Sequence, residues 1–233
     1  MQPGQPKLIE EMFNDIASNY DLLNDCLSFG LHRLWKRKLL RCLSPMQGEK
    51  WADLCCGTGD MAFQLARILK PSGIVFAIDS AESILKIGKK RFAEEPFLQI
   101  NWMHQNVLNT NLPANYFDGV VMSFGLRNIG NPDLAFSEIS RILKPGGKAG
   151  ILDFNHINDN YFQSLFQKTY LSKIVVPISS CFGFRQHYSY IEKSLLDFPS
   201  GLEQKKLAID AGFRKASFQK IAFGQMGLLL LTL

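Results

Sequence analysis

Hydrophobic residues along the chain fall into two alternating patterns. Short apolar runs predict five buried strands, at residues 51–54, 74–78, 100–104, 119–124 and 148–154. The more mixed segments between them predict helices at residues 61–69, 82–93 and 132–143. The run Lys144-Pro145-Gly146-Gly147 predicts the turn between the third of these helices and the fifth strand. Such an alternation of strands and helices predicts a parallel sheet with helices on both faces.

The segment after the first strand has the pattern of a ligand-binding loop. Gly57-Thr58-Gly59 opens a helix, and glycines there let a ligand approach the backbone and the helix N-terminal amides. With Asp79 about 20 residues further on, residues 57–62 match the G-x-G-x-x-A fingerprint of dinucleotide sites. Asp53, just before the loop, would repel a pyrophosphate but could hold a cationic amino acid group. This acid favours S-adenosyl-L-methionine over NAD.

Asp79 ends the second predicted strand. Its carboxylate can accept hydrogen bonds from both ribose hydroxyls, which either cofactor would require. The alternative is a structural role as the N-cap of the following helix.

The end of the chain differs from the rest. A helix at residues 202–211 precedes two strands, at 217–223 and 226–233, that are separated only by Gly224-Gln225. A turn this short joins antiparallel strands. A mostly parallel, Rossmann-like sheet of seven strands that ends in such a hairpin is the plan of class I S-adenosylmethionine-dependent methyltransferases. We therefore predict this α/β fold, which argues further against NAD.

Two segments outside this alternation are expected to cover the site. Residues 1–45 form a mainly helical cover, and residues 160–200 form a polar-aromatic insertion after the fifth strand. Because no linker or repeat separates them from the sheet, we predict a single methyltransferase domain over residues 1–233. Ligands of such sheets bind beyond the carboxyl ends of the strands. The acceptor pocket is therefore expected between these covers and the ends of the fourth and fifth strands.

Composition narrows the class of protein. Hydrophobic residues make up 46% of the chain and charged residues 20%, and the net charge of +5 is too small to predict a nucleic-acid partner. The five cysteines lack C-x-x-C spacing, so we expect no metal site and a reducing compartment. No signal peptide and no apolar run of the ~18 residues of a membrane span are evident. We expect a cytoplasmic protein, with possible peripheral contact with a membrane.

Four runs of the sequence carry a family resemblance. Residues 20–35, YDLLNDCLSFGLHRLW, and residues 123–128, SFGLRN, resemble signatures of the ubiquinone/menaquinone C-methyltransferases, the UbiE/MenG family. The GTGD run at 57–60 and the RILKPGG run at 141–147 fit the same family, so the resemblance spans nearly the whole chain. Cys55-Cys56 and the segments 182–191 and 198–201 are similar to the branch that methylates demethylphylloquinone. Leu23 departs from the more usual methionine, a volume-conserving change.

The resemblance implies a set of cofactor contacts. They are Thr58 in the loop, Asp79 on the ribose, Asn106 with Val107 near the adenine, and Ser123 after the fourth strand. An amide such as Asn106 can both donate to and accept from an adenine edge. With Asp53, Gly57 and Gly59 from the loop, these residues form the predicted site for S-adenosyl-L-methionine.

The resemblance also implies methyl transfer to a ring carbon of a prenylated naphthoquinone. A sulfonium methyl group requires an electron-rich carbon, so we expect the reduced quinol, with its hydroxyl ionised, to be the acceptor. Arg127 and Asn128 are predicted to stabilise the naphtholate, because a nearby cation lowers the pKa of a hydroxyl. His32, Asp153, Tyr20 and Tyr188 are further candidates for proton transfer, and each could instead have a structural role.

Demethylphylloquinol, the precursor of phylloquinone, is the predicted acceptor. The alternatives are demethylmenaquinol or a benzoquinol of the ubiquinone type. Two further alternatives are another small-molecule or protein methyltransferase of the same fold, and a protein that binds the cofactor but catalyses no methyl transfer.

The segment before the first strand predicts contact with a membrane surface. On a helix through this segment, one face would carry Arg33, Lys36, Arg37 and Arg41, and the opposite face Leu31, Trp35, Leu39 and Cys42. The basic face could rest on an anionic bilayer or could be solvated. Apolar side chains of the insertion could line a path for the prenyl tail or pack in a core: Phe162, Phe166, Ile174, Val175, Val176 and Phe182.

Overall fold

A seven-stranded sheet forms the centre of the protein. The computed structural model describes residues 10, 11, 14, 20–95, 97–157, 161–181, 191, 194, 195 and 197–233. The strands are β1 (Lys50–Leu54), β2 (Ile74–Asp79), β3 (Ile100–His104), β4 (Phe117–Ser123), β5 (Leu143–Phe154), β6 (Lys215–Ile221) and β7 (Met226–Thr232). Their order is β3-β2-β1-β4-β5-β7-β6. The first five strands are parallel, and β7 pairs antiparallel with both β5 and β6, which confirms the predicted fold class.

Helices cover both faces of the sheet. They are α1 (Tyr20–Ser28), α2 (Leu31–Leu43), α3 (Asp60–Leu69), α4 (Glu82–Arg91), α5 (Pro132–Ile142), α6 (Tyr161–Tyr170), α7 (Val176–Cys181) and α8 (Gly201–Asp210). A 3₁₀ turn, Leu126–Asn128, follows β4, and a π-helical turn, Leu171–Val175, joins α6 to α7. Among the described residues, no helix has both the length and the apolar character needed to cross a membrane.

Alternate residues of each strand point to opposite faces of the sheet, which separates two cores. Trp51 faces a core formed with α2 and α3, which contribute residues such as Leu39 and Leu65. Ala52, its neighbour on β1, faces a core that α5 and α8 share. The two faces are therefore covered by different helices, so a strand residue's parity decides which helices it meets.

The KPGG run does not form the predicted turn between a helix and a strand. Helix α5 leads directly into β5, because Leu143 already pairs with Phe117 of β4. The next pair joins Lys148 to Gly119, so residues 144–147 bulge out within one strand. Gly146, with φ of 81°, provides the left-handed backbone that this bulge needs.

The orientation predicted for α2 is wrong in part. Lys36, placed on the basic face, is buried, whereas Leu31 and Cys42, placed on the apolar face, are exposed. The buried side chains are His32, Lys36, Leu39, Leu40 and Leu43. Lys36 tolerates burial because its ammonium lies 3.4 Å from a carboxylate oxygen of Asp60. Hydropathy could not predict this pairing, since the acid is contributed by α3.

Candidate functional site

A cleft opens at the carboxyl ends of β1, β2, β3 and β4. Its empty space is about 720 Å³ when the open mouth is included. Its lining residues come from four strand ends: Cys55, Gly57, Asp79, Ser80, Ile84, Asn106, Val107, Leu108, Ser123, Phe124, Gly125, Asn128, Ile129 and Gly130. Five predicted cofactor residues and one predicted catalytic residue therefore meet in one place.

The two glycines of the loop have different roles. Gly57 lines the cleft, as expected of a residue that lets a ligand approach the backbone. Gly59 does not line it, and its φ of 84° together with the Trp102 ring explains why a side chain is excluded. A Cβ atom there would lie 2.3 Å from the indole of Trp102.

Asp79 ties the second strand to the glycine loop. One carboxylate oxygen accepts the Gly57 amide and the other accepts the Ala81 amide, each at 2.9 Å. Burial raises the pKa of Asp79, while these backbone donors oppose the rise. A carboxylate has about four acceptor positions, so both oxygens retain capacity for ribose hydroxyls. The N-cap of α4 is Ala81 rather than Asp79.

Replacing Asp79 with alanine should weaken cofactor binding. We expect a loss of about 2 to 4 kcal/mol for S-adenosyl-L-methionine, because two charge-assisted hydrogen bonds to the ribose would be removed. Isothermal titration calorimetry measures the change. Glu82→Ala is the matched control, since Glu82 is an exposed acid in the first turn of α4. Wild-type affinity in Asp79→Ala would refute the ribose assignment.

The segment after β3 offers one amide group to the cleft. Asn106 Oδ1 accepts the Leu108 amide at 2.9 Å, which leaves its side-chain NH₂ group as a donor. Val107, largely buried, provides an apolar surface beside it. A donor next to an apolar side chain fits one edge and one face of an adenine, in line with the predicted contact.

Two buried oxygens at the end of β4 have no hydrogen-bond partner among the described residues. They are Ser123 Oγ and Asn128 Oδ1, and both residues line the cleft. Buried polar atoms are normally hydrogen-bonded, so unpaired ones beside a cleft indicate a ligand. The cleft thus combines an acid for a ribose, an amide for a base and two unpaired oxygens, a set that fits a nucleoside cofactor with an acceptor beside it.

Arg127 does not line the cleft, and its buried Nε has no hydrogen-bond partner among the described residues. Its Nη1 donates to Asp153 Oδ1 and to the Phe124 carbonyl oxygen, each at 2.8 Å, and its guanidinium lies over the Phe154 ring. The backbone amide of Arg127 also donates to Asp153 Oδ2. Asn128, the next residue, is the one that lines the cleft. The Arg127–Asp153 pair therefore anchors the turn that presents Asn128.

Asp53 is also outside the lining of the cleft. Strand parity points it towards α2 and α3, where it is only 1% exposed. Neither oxygen has a hydrogen bond of good geometry within the described residues, although the Ala62 amide and the Lys36 ammonium both favour the charged form. Burial outweighs them and raises the pKa of Asp53 to about 8. A group largely protonated at neutral pH is a poor partner for a cationic amino acid moiety.

Thr58 contacts the N-terminal helical cover. Its hydroxyl donates to Asp21 Oδ1 of α1 at 2.7 Å, and Asp21 Oδ2 accepts from Arg91 at the end of α4. Arg91 also pairs with Asp60, at the start of α3. Asp21 was missed as a site residue because its pairing spans 37 positions, and no local pattern reports such a contact.

Loss of the Asp21 carboxylate should loosen this cover over the cofactor loop. We expect Asp21→Asn to weaken S-adenosyl-L-methionine binding by about 1 kcal/mol, the typical effect of one partly exposed charged hydrogen bond. Calorimetry again reports the affinity. Asp25→Asn lies on the same helix and pairs with Arg33 rather than with the loop, so it should bind normally. Equal affinity in both variants would show that the cover does not act on the loop.

Of the proton-transfer candidates from the cover and the insertion, only His32 has a side chain within the described structure, and it does not line the cleft. His32 is buried, with Nδ1 2.7 Å from Ser28 Oγ and Nε2 3.8 Å from Asp25. Burial, followed by the charge of Lys36, lowers the pKa of His32. Tyr188 and the side chain of Tyr20 lie outside the described structure. Proton transfer by any of these residues stays a prediction.

Comparison with known sequences places the chain among enzymes of one family. The profile of the ubiE/COQ5 methyltransferase family matches residues 1–230. A 2-phytyl-1,4-naphtoquinone methyltransferase from Trichormus variabilis is 40% identical over 96% of this chain and 98% of its own. The ubiquinone/menaquinone biosynthesis C-methyltransferase UbiE of Geobacter sulfurreducens is 34% identical over 93% of this chain and 84% of its own.

Solved structures share the fold at low sequence identity. Phosphoethanolamine N-methyltransferase 2 of Haemonchus contortus, in complex with S-adenosyl-L-methionine, superposes with a TM-score of 0.65 at 16% identity, covering 85% of this chain and 52% of that one. A SAM-dependent methyltransferase from Aquifex aeolicus gives 0.63 at 17% identity, covering 87% and 91%. At such identities the likeness concerns the fold alone.

Proposed function

The chain belongs to the ubiE/COQ5 methyltransferase family and uses S-adenosyl-L-methionine, and we propose that it methylates a ring carbon of reduced 2-phytyl-1,4-naphthoquinone. The main support for this substrate is the 40% identity, over 96% of the chain, to a relative whose name contains 2-phytyl-1,4-naphtoquinone. The product would be phylloquinol. A demethylmenaquinol or benzoquinol acceptor is the second candidate, favoured by the 34% identity to a UbiE enzyme.

Different residues of the cleft are proposed to bind the cofactor and the acceptor. Asp79, Asn106 and Val107 would hold the nucleoside, and Ser123 would contact the cofactor where it meets the acceptor. When bound, the cofactor supplies an electrophilic methyl group. Asn128 has a buried oxygen without a partner, so we propose that it positions a hydroxyl of the quinol.

Arg127 is a positioning residue in this proposal rather than a direct contact of the naphtholate. Its guanidinium is already engaged by the Asp153 carboxylate, which reduces the positive field available to a substrate oxygen. By holding the Phe124 carbonyl and Asp153 together, it fixes the turn that carries Asn128. Asn128 lines the cleft and Arg127 does not, so the naphtholate contact predicted for both residues is assigned to Asn128 alone.

An aromatic surface on α6 is a candidate path for the prenyl tail. Phe162 is 77% exposed, and the exposed Phe166 lies edge-on to Phe223 of the β6–β7 turn, with ring centroids 6.1 Å apart. Exposed aromatic side chains at this density are typical of an apolar binding surface. Val175 is buried and belongs to the core, and Phe182 lies outside the described residues.

A long prenyl chain partitions into a bilayer, so we further propose that the protein is cytoplasmic and contacts a membrane peripherally. The exposed face of α2 supports the contact, because Arg37, Lys38 and Arg41 flank the exposed Leu34. Basic and apolar side chains in this arrangement favour an anionic interface. The buried Lys36 is not part of this surface.

Methyl transfer from labelled S-adenosyl-L-methionine to a panel of reduced quinols tests the substrate. The panel comprises phytyl naphthoquinol, a polyprenyl naphthoquinol and a prenyl benzoquinol, each presented in the same detergent. We expect the highest kcat/KM with phytyl naphthoquinol. A preference for the polyprenyl naphthoquinol or the benzoquinol would select the second candidate, and binding of cofactor without transfer to any quinol would refute quinol methylation.

A further inference from the structure

A strongly basic groove lies between α2 and α3, separate from the cleft at the strand ends. Asp60 is the one acid among its lining residues. Five arginines also line it: Arg33, Arg37, Arg41, Arg67 and Arg91. It measures about 1260 Å³ including its open side. We call this feature the arginine groove. No step of the proposed methyl transfer uses it.

Three of the five guanidinium groups have no acidic partner among the described residues. Arg33 pairs with Asp25, and Arg91 pairs with Asp21 and Asp60. In the part of the chain that the structure describes, the other three have no carboxylate within ion-pair distance: Arg37, Arg41 and Arg67. Like charges brought together without counterions destabilise a fold, so their convergence favours an anionic ligand.

The three unpaired arginines surround a partly apolar floor. Arg37 and Arg41 stand one turn apart on α2, and Arg67 faces them from α3 with its guanidinium 5.7 Å from the centre of the Phe63 ring. The buried Leu40 continues the floor. Planar guanidinium groups donate pairs of parallel hydrogen bonds to phosphate oxygens. The groove therefore fits a phosphate group attached to something less polar.

Exposed apolar side chains at the rim of the groove favour a phosphate that belongs to a lipid over a soluble one. Leu34 is 54% exposed and Met46, just past Pro45 of the lining, is 64% exposed. Ile68, at the end of α3, is also exposed and lines the groove. Large exposed apolar side chains beside a basic site are costly in water but favourable at the boundary between headgroups and acyl chains.

We propose that the arginine groove binds the phosphodiester headgroup of an anionic phospholipid. This site deepens the membrane contact proposed above and rests on it. The arginines would hold the phosphate while Leu34 and Met46 enter the acyl boundary. Binding there would keep the enzyme at the surface that dissolves a prenylated acceptor.

Sedimentation of the full chain with vesicles tests this site. The vesicles contain either phosphatidylcholine alone or phosphatidylcholine with phosphatidylglycerol. We expect partitioning onto the anionic vesicles, and a loss of roughly 100-fold in Arg37→Gln/Arg41→Gln/Arg67→Gln, because each basic residue at an anionic surface contributes about a factor of five. Arg37→Lys/Arg41→Lys/Arg67→Lys should recover part of the loss, since lysine keeps the charge but not the planar fork.

A matched variant separates a site from general basicity. Lys205→Gln/Lys206→Gln/Lys215→Gln removes the same three charges from α8 and β6, and α8 covers the opposite face of the sheet. Partitioning of this variant should remain within about twofold of wild type, since none of its three lysines lines the groove. An equal loss in both glutamine variants, or no loss in the arginine variant, would overturn the proposal. Tight binding of inorganic phosphate without vesicle binding would assign the groove to a soluble anion and overturn it as well.

Activity in detergent keeps this test independent of the substrate assignment. With a short-chain naphthoquinol in micelles, the arginine variant should turn over like wild type, which also shows that it is folded. Wild-type activity with lost vesicle binding supports the headgroup site. Wild-type vesicle binding without quinol methylation would refute the substrate and leave the groove assignment standing.

Discussion

Methyl transfer by this protein should depend on the oxidation state of its acceptor. We expect turnover with the naphthoquinol under dithionite and a fall of at least ~100-fold with the oxidised naphthoquinone in air. The two carbonyl groups of a quinone withdraw electrons from the ring, whereas the hydroxyls of a quinol, with a pKa near that of tyrosine, about 10, donate electrons once ionised. Only the reduced ring offers a carbon nucleophile to a sulfonium methyl group.

The measurement uses labelled cofactor and anaerobic extraction of the product. Its control is the affinity for S-adenosyl-L-methionine, which should be the same with and without dithionite, because the predicted cofactor contacts involve no redox-active group. The buried Cys56 thiol, whose pKa burial raises well above its ordinary value, is not expected to respond to the reductant. Equal turnover of quinol and quinone would exclude a naphtholate nucleophile.

Replacement of Arg127 should affect stability and turnover together. Arg127→Ala leaves the Asp153 carboxylate, which is buried, without its cationic partner, so we expect the free energy of unfolding to fall by about 3 to 5 kcal/mol. Urea denaturation measures this change. Because the anchored turn carries Asn128, kcat should fall by roughly 100-fold, the usual effect of misplacing one polar contact to a reacting group. The KM for S-adenosyl-L-methionine should change little.

A paired variant separates anchoring from packing. Arg127→Met/Asp153→Leu replaces the ion pair with apolar side chains and should recover most of the stability. It should not recover kcat, because two hydrogen bonds that hold the turn stay absent. They are the bond from the Arg127 guanidinium to the Phe124 carbonyl and the bond from the backbone amide of residue 127 to the Asp153 carboxylate. Arg127→Lys should recover part of both, because a lysine restores the charge but not the fork. If kcat returned together with stability in the paired variant, Arg127 would have no role in positioning Asn128.

Much of the fold could be predicted from local patterns. The apolar runs gave the first five strands, and the two-residue Gly224-Gln225 spacing predicted the antiparallel pairing of β6 with β7. Both signals arise from neighbours in sequence, since strand burial and turn length are local properties. The bulge at residues 144–147 was missed because it exists only through the pairing of Leu143 with Phe117 on another strand.

The candidate site follows the same division. Gly57, Asp79, Asn106 and Ser123 could be predicted, because parallel strands place the residues at their carboxyl ends along one edge of the sheet. Asp53 could not be assigned correctly in this way. Alternation along β1 places its side chain on the face covered by α2 and α3, and not at the edge that forms the cleft. Which helix lies on which face is a property of the whole chain.

The sequence by itself determined the fold class and the strand ends that form the cleft, because these depend on local periodicity and on short motifs. The cofactor was indicated by the terminal hairpin and the family resemblance, since the glycine motif alone also fits a dinucleotide. Tertiary structure alone decided that Asn128 faces the cleft while Arg127 pairs with Asp153, and that Asp21 closes on Thr58. It also brought Arg37 and Arg67, thirty positions apart, into one groove. Charges and hydrogen bonds act over a few ångströms in space, and folding sets those distances without regard to separation along the chain.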